Sequence, residues 1–270
     1  LDLIPYPGRV VSGRVSFEGK DLLRLQPEEM RKVRGAGIGI VFQEAAAALN
    51  PVYRIGDQIA DVIRLHRGLN KRDARREAVQ VLGAMGIPEP EKRARSYPFE
   101  LSGGMKQRAM IAIAMAGRPK LLIADEPTTA LDLTVQAEIT DLLRHIQDEY
   151  RMAILIISHD LELVAEMADR MMVMYTGRLV ETADTTSLVA DPKHPYTQGL
   201  LGAIPVLGAG SDTPLEGIPG AVPDLMDLPS GCTFHPRCGL ADDECELEPP
   251  SLEDVAYRHQ CACHKVEAQA

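Results

Sequence analysis

The apolar positions of this chain change period several times, and each change marks an element. Residues 9–18 (RVVSGRVSFE) are β-branched and partly alternating, which predicts a strand or hairpin. GIGIVFQ, 37–43, is a short continuous apolar run that predicts a buried strand. After Asn50-Pro51, apolar residues fall at Ile55, Ile59, Val62 and Ile63, then at Ala74, Ala78, Val81, Leu82 and Met85. Both sets have helical spacing, with a loop at Gly68-Leu69-Asn70 between them and a stop at Gly86 and Pro88. The stretch 53–100 therefore reads as a helical insert. Beyond it the pattern alternates. LLIAD (121–125) and AILIIS (153–158) predict buried strands, and 135–150 and 161–168 predict amphipathic helices. RMMVMY (170–175) and RLVETA (178–183) flank Thr176-Gly177, a hairpin signal. Buried strands alternating with helices predict an α/β fold with a parallel sheet. After Asp191 the chain turns rich in Pro, Gly and acid, as a separate extension would.

Composition narrows this only slightly. In 270 residues, 45% are hydrophobic and 25% charged, the balance of a globular protein and not of a disordered or collagen-like one. Aromatics are 4% with no Trp, so the core must be aliphatic. No run approaches the length needed to span a bilayer, and no secretory signal pattern opens the chain. Residues 211–270 carry 12 acidic against 3 basic side chains, while the rest carries 27 against 26, so nucleic acid is not an expected partner.

Candidate chemistry gathers at three places. Asp125 and Glu126 end the strand LLIAD, and the carboxyl edge of a parallel sheet is where ligands bind. One carboxylate there can hold Mg²⁺ through water, and its neighbour can orient an attacking water. Ser102-Gly103-Gly104 precede a helix-compatible run, so a capped helix N-terminus could present free N–H groups to an anion. Ser158-His159-Asp160 follow the next buried strand. Each alone has an ordinary structural reading: a solvated acidic pair, a capped helix, a surface histidine.

Their order is what resembles a family. Gln43, then LSGGMKQR (101–108), LLIADE (121–126), Ala130-Leu131-Asp132 and His159 are similar to the motif series of ABC transporter ATP-binding subunits. The resemblance spans nearly the whole chain. It implies an ABC-type ATPase domain, with a RecA-like sheet core over 1–52 and 116–190, a helical signature subdomain over 53–115, and a Cys-rich extension over 191–270. It also implies ATP and Mg²⁺. Asp125 would hold Mg²⁺ through water, Glu126 would polarise the hydrolytic water, and His159 would contact the γ-phosphate. Gln43 would contact Mg²⁺ and couple the site to a membrane partner. Ser102, Gly103, Gly104 and Gln107 of the signature would serve ATP bound to the opposite subunit, and Asp132 would help close the dimer.

FQEAAAALNP (42–51), YPFELSGGMKQR and HPYTQGLL (194–201) resemble the oligopeptide and dipeptide importer branch, with Ala45 where Pro is usual. That branch implies a second ATPase subunit, as a homo- or heterodimer, two transmembrane permeases and an extracytoplasmic peptide-binding protein. It places the chain peripherally at the cytoplasmic face of the membrane. Nickel or glutathione cargo is the related alternative. The phosphate loop G-x-x-x-x-G-K-[ST] does not occur in the 270 residues, where the one Gly-Lys pair is Gly19-Lys20. The chain opens at Leu1, not Met, inside the apolar run LDLIP, and Leu1–Pro5 reads as the end of the helix that follows that loop. The loop is therefore expected upstream of Leu1. A subunit that natively lacks it would be binding-only, lending its signature motif to a hydrolysing partner. An ABC-type ATPase acting on DNA or ribosomes would want a basic surface, a coiled-coil insert or tandem domains.

All five cysteines fall in 32 residues. Clustered thiols without C-x2-C spacing leave metal binding and a packed thiol subdomain both open. On the family's tail pattern, Cys232, Cys238, Cys245 and Cys263 would hold a four-iron four-sulfur cluster, with zinc as the alternative and Cys261 as an extra. A redox or iron sensor is the reading this tail adds.

Overall fold

The computed structural model describes residues 1, 3–204 and 217–267. Its strands are β1 (Ser16–Phe17), β2 (Lys20–Asp21), β3 (Ile38–Val41), β4 (Leu121–Asp125), β5 (Ala153–Ile157), β6 (Arg170–Tyr175), β7 (Arg178–Asp184), β8 (Glu253–Ala256) and β9 (His259–Cys261). The helices are α1 (Pro27–Ala36), α2 (Ala45–Ala48), α3 (Ile55–Arg67), α4 (Lys71–Ala84), α5 (Pro90–Arg93), α6 (Gly103–Met115), α7 (Leu133–Tyr150), α8 (Leu161–Met167), α9 (Thr185–Ala190), α10 (Pro195–Gly202) and α11 (Asp243–Leu247). The chain forms two compact units, Leu1–His159 and Asp160–Ala270.

In the first unit, β3, β4 and β5 form a parallel sheet in that order. The apolar runs predicted these as buried strands, and β5 departs from that expectation. Leu122 and Ala124 of β4 are sealed, whereas Ala153, Leu155 and Ile157 on one face of β5 stand open to solvent. β5 is the edge of the three-stranded sheet, so only β4 shields it along its hydrogen-bonding side. The helical insert follows its pattern closely. Ile55, Ile59 and Ile63 of α3 and Ala74, Ala78 and Leu82 of α4 are buried, the i, i+4, i+8 face of each helix. Gly68 caps α3 in the left-handed region, and the Asn70 side chain accepts from the N–H groups of Arg72 and Asp73 to start α4. α6, almost wholly buried from Ala109 to Met115, packs against α2, α3, α4 and β3.

Two expectations at the start of the chain differ. Residues 9–15 form no strand, and only Ser16–Phe17 pair, with Lys20–Asp21. β-Branched composition favours a strand only where a neighbour and a core face exist, and Val10, Val11 and Val15 are exposed. Leu1 and residues 3–5 are not helical, against the expected helix end, because Pro5 and Pro7 disfavour the α region in the residue before each; Asp2 lies outside the described residues.

In the second unit, β6 and β7 form the hairpin the sequence predicted. Thr176 and Gly177 both have positive φ, the requirement of a two-residue turn matched to strand twist. The sheet continues in the order β6-β7-β9-β8. A domain boundary at 190/191 would therefore cut through a hydrogen-bonded sheet; the compact unit begins at Asp160 because β9 satisfies the outer edge of β7. The core beneath is Met171, Val173, Val180, Ala183 and Leu188, with Tyr175, Tyr196 and Phe234 in ring contact. Residues 205–216 and 268–270 of the expected extension lie outside the described residues.

Candidate functional site

The register of the parallel sheet decides which residues meet. Val41 pairs with Ala124, and Ala124 with Ile156. Parallel strands in register discharge their C-termini at one edge, so Gln43, Asp125, Glu126 and His159 emerge side by side. Gln43 is exposed just past β3, and Asp125 is the half-buried last residue of β4.

Glu126 does not continue the pleat. Its φ is 50°, a left-handed conformation that costs a side-chain-bearing residue energy unless its surroundings impose it. Here they do. Its N–H donates to the Ile157 carbonyl at 2.8 Å, and its carbonyl accepts from Thr129 N–H at 3.2 Å, closing a four-residue turn with Pro127 second. Two buried or half-buried amides hold the turn from outside. Gln107 Nε2 donates to the Pro127 carbonyl at 2.6 Å, and Gln136 Nε2 to the Thr128 carbonyl at 3.2 Å.

The Glu126 carboxylate is fully engaged at one oxygen. Oε1 accepts from His159 N–H at 3.1 Å and faces His159 Nδ1 at 2.8 Å. Oε2 accepts from Thr129 Oγ1 at 2.8 Å. Partial burial pushes this carboxyl up, but the His159 ring, the Thr129 hydroxyl and the His159 backbone N–H together hold it below its ordinary value. An ionised carboxylate only accepts, so Nδ1 of His159 carries the proton, and the ring, 79% exposed, points its other edge outward.

Ser102-Gly103-Gly104 meet Ala130-Leu131-Asp132 in the same unit. Ser102 caps α6, its Oγ accepting from Met105 N–H at 3.3 Å, and Asp132 caps α7, accepting from Val135 N–H at 3.0 Å. Ser102, Gly103, Gly104, Ala130, Leu131 and Asp132 line one cleft of about 400 Å³. Gly103 is open to that side. Gly104 must stay small because a Cβ there would stand 2.9 Å from Val135 Cγ1, where α6 meets α7. Gln107 differs from its expected role at the nucleotide: it is 4% exposed and spends its amide on Pro127. Its place one turn into α6 turns it inward, away from the cleft. Thr129 and Gln136 were not singled out from sequence. Glu-Pro-x-Thr is itself a turn signal that could have found the first.

In the second unit, Cys232, Cys238, Cys245 and Cys263 line one small enclosed cavity with His194, Phe234, His235 and His264. Burial raises the thiols of Cys232, Cys245 and Cys263 above their ordinary value. Cys261 is set apart, buried beside Glu181. Among the described residues, no three His, Cys, Asp or Glu side chains stand close enough to share a single metal ion. No helix among them is long and apolar enough to cross a membrane.

The chain is similar to known proteins along most of its length. The family described as "ABC transporter" matches residues 5–129, and "Oligopeptide/dipeptide transporter, C-terminal region" matches residues 180–245. The chain is 47% identical over 264 residues to the "Dipeptide transport ATP-binding protein DppD" of Escherichia coli (strain K12), covering 98% of this chain and 80% of that one. It is 51% identical over 258 residues to the "Oligopeptide transport ATP-binding protein OppD" of Mycobacterium tuberculosis, covering 95% of this chain and 42% of that one. Among solved structures, the ATP-binding cassette MJ0796, a dimer bound to ADP and Pi, aligns with a TM-score of 0.58 and 26% identity over 65% of this chain and 74% of that one.

Proposed function

This chain belongs to the ABC transporter ATP-binding family, in the branch with the oligopeptide/dipeptide C-terminal region, and from that premise we propose that it is the ATP-binding subunit of a peptide importer. The observation that carries this reading is the convergence of Gln43, Asp125, Glu126 and His159 on one sheet edge, with a capped, glycine-opened helix in the same unit.

Each residue's part follows from its setting. Asp125 would hold Mg²⁺, and Gln43, exposed just past β3, reaches the same edge, from which it would couple the site to a permease. Glu126 orients the hydrolytic water. Phosphoryl transfer asks mainly for positioning and charge stabilisation, which a carboxylate at this edge supplies. His159 turns its exposed edge to the γ-phosphate. Ser102, Gly103 and Gly104 offer the N-terminus of α6 to the γ-phosphate of ATP held by a second ATPase subunit, and Asp132 borders the same cleft. Gln107 supports the turn from behind. The partners of this reading are that second subunit, two permeases and an extracytoplasmic peptide-binding protein, with the chain at the cytoplasmic membrane face. Glu126→Gln in the native full-length protein should keep ATP binding and abolish turnover; retained turnover removes Glu126 from the reaction.

Cys232, Cys238, Cys245 and Cys263 line one cavity, and four cysteines are the donor set that would hold a four-iron four-sulfur cluster, with zinc as the alternative. When bound, such a cluster would staple the tail and supply a redox-responsive centre. Anaerobically purified protein should contain iron that Cys238→Ser lowers; unchanged metal content overturns the assignment, and zinc in its place would favour the alternative.

A further inference from the structure

We infer that Thr129 is the positioning residue that aims Glu126 at the attacking water. The inference rests on the reading of Glu126 as the residue that orients that water. A carboxylate offers about two acceptor places on each oxygen. Both places on Oε1 are taken by His159, through its backbone N–H and its ring. On Oε2 one place is taken, by the Thr129 hydroxyl, and one remains. The water is therefore oriented at Oε2, and Thr129 determines which way its remaining acceptor place points.

The hydroxyl can do this because its own position is fixed. The Glu126–Thr129 turn folds the chain back so that Thr129 stands over the carboxylate three residues before it, and Pro127 sets φ inside the turn. Gln107 and Gln136 hold the two carbonyls between them. Without the hydroxyl, Glu126 would be tethered at Oε1 alone and could swing Oε2 about that anchor. A displacement of about 1 Å at a reacting group is enough to lose about a hundredfold in rate. The titratable neighbours of Glu126 are His159, at the end of β5, and Asp125, beside it on β4; Thr129 is uncharged, so replacing it leaves both in place.

The test compares Thr129→Val, which keeps the shape and removes the hydroxyl, with Thr129→Ser, which keeps the hydroxyl, in the native full-length subunit assembled with its partners. Thr129→Val should lower kcat for ATP hydrolysis by about ten- to a hundredfold with KM within about twofold. The lost hydrogen bond favoured the ionised carboxylate, so the acid limb of the kcat profile should move to higher pH. Thr129→Ser should restore both. Unchanged kcat and pH limb in Thr129→Val overturn the inference, as does a rise in KM alone or a Thr129→Ser that fails to restore activity. If Thr129→Val does not fold, Thr129→Ala is read by the same criteria. Glu126→Gln separates the premise from the inference: retained turnover there overturns both, while an inactive Glu126→Gln beside a fully active Thr129→Val overturns only the role of Thr129.

Discussion

The two units each contain a Glu–His pair of nearly the same length, and the pairs do opposite things. Glu126 and His159 meet at 2.8 Å with the histidine side chain 79% exposed. Glu181 and His259 meet at 2.7 Å with side-chain exposures of 0% and 3%. The first carboxylate keeps one acceptor place open at a sheet edge. The second accepts as many bonds but is sealed from solvent: it takes His259 Nε2, Lys193 N–H at 2.6 Å and His194 N–H at 3.0 Å, which ties β7, β9 and the segment leading into α10 together. Bond length alone says nothing about function. What separates a working pair from a structural one is whether solvent can reach the carboxylate after the pair forms.

The comparison can be broken most directly by exchanging the losses. Glu181→Ala should strand three buried donors and destabilise the second unit by about 3–5 kcal/mol, read as a shifted denaturant midpoint. Glu126→Gln should instead cut turnover by about 10²- to 10⁴-fold and leave that midpoint in place. Equal destabilisation by both would erase the distinction. Acid should sharpen it. Burial lowers the pKa of His194 from its ordinary 6.5 to about 4, so below pH 6.5 the unfolded chain takes up a proton that the folded one refuses. The second unit should lose stability progressively between about pH 6.5 and pH 4, on the order of 3 kcal/mol, and no further from this group below that. Near-ultraviolet circular dichroism of the Tyr175–Tyr196 pair would report it. Glu126, held below its ordinary value, works the other way: its bonds persist until the pH falls through its lowered pKa, so the first unit's site should outlast the second unit's packing on acidification. The smallest expected effect is on the stability of Thr129→Val, under about 1 kcal/mol for one half-buried hydroxyl.

The sheet-edge residues were legible because each sits where an apolar run stops, and a parallel strand can end nowhere but at that edge. The Thr176-Gly177 hairpin was legible from its turn chemistry alone. What was not legible depends on contacts far apart in sequence. Gln107 reaches a carbonyl 20 residues away, and nothing in the helical period says that its amide turns inward. β9 is three residues long, too short to show a period, and its pairing with β7 moved the unit boundary from 190/191 to 159/160. Residues 10–15 had strand composition without a strand's neighbours. Thr129 carries no signal of its own in the sequence, since its role comes from the turn that brings its hydroxyl back to Glu126, which Pro127 implies.

The pairing of β7 with β9 also sets an order of events during synthesis. The two strands lie 78 positions apart where Glu181 meets His259. At the roughly 5–20 residues per second of ribosomal elongation, β7 waits about 4–16 s with its outer edge unpaired and its glutamate without a histidine. The first unit has by then emerged complete to His159 and can fold on its own schedule. A nascent chain is thus assembled in two instalments, and the second is exposed to chaperones, or to edge-seeking strands of neighbouring chains, for as long as translation takes to deliver its closing strand.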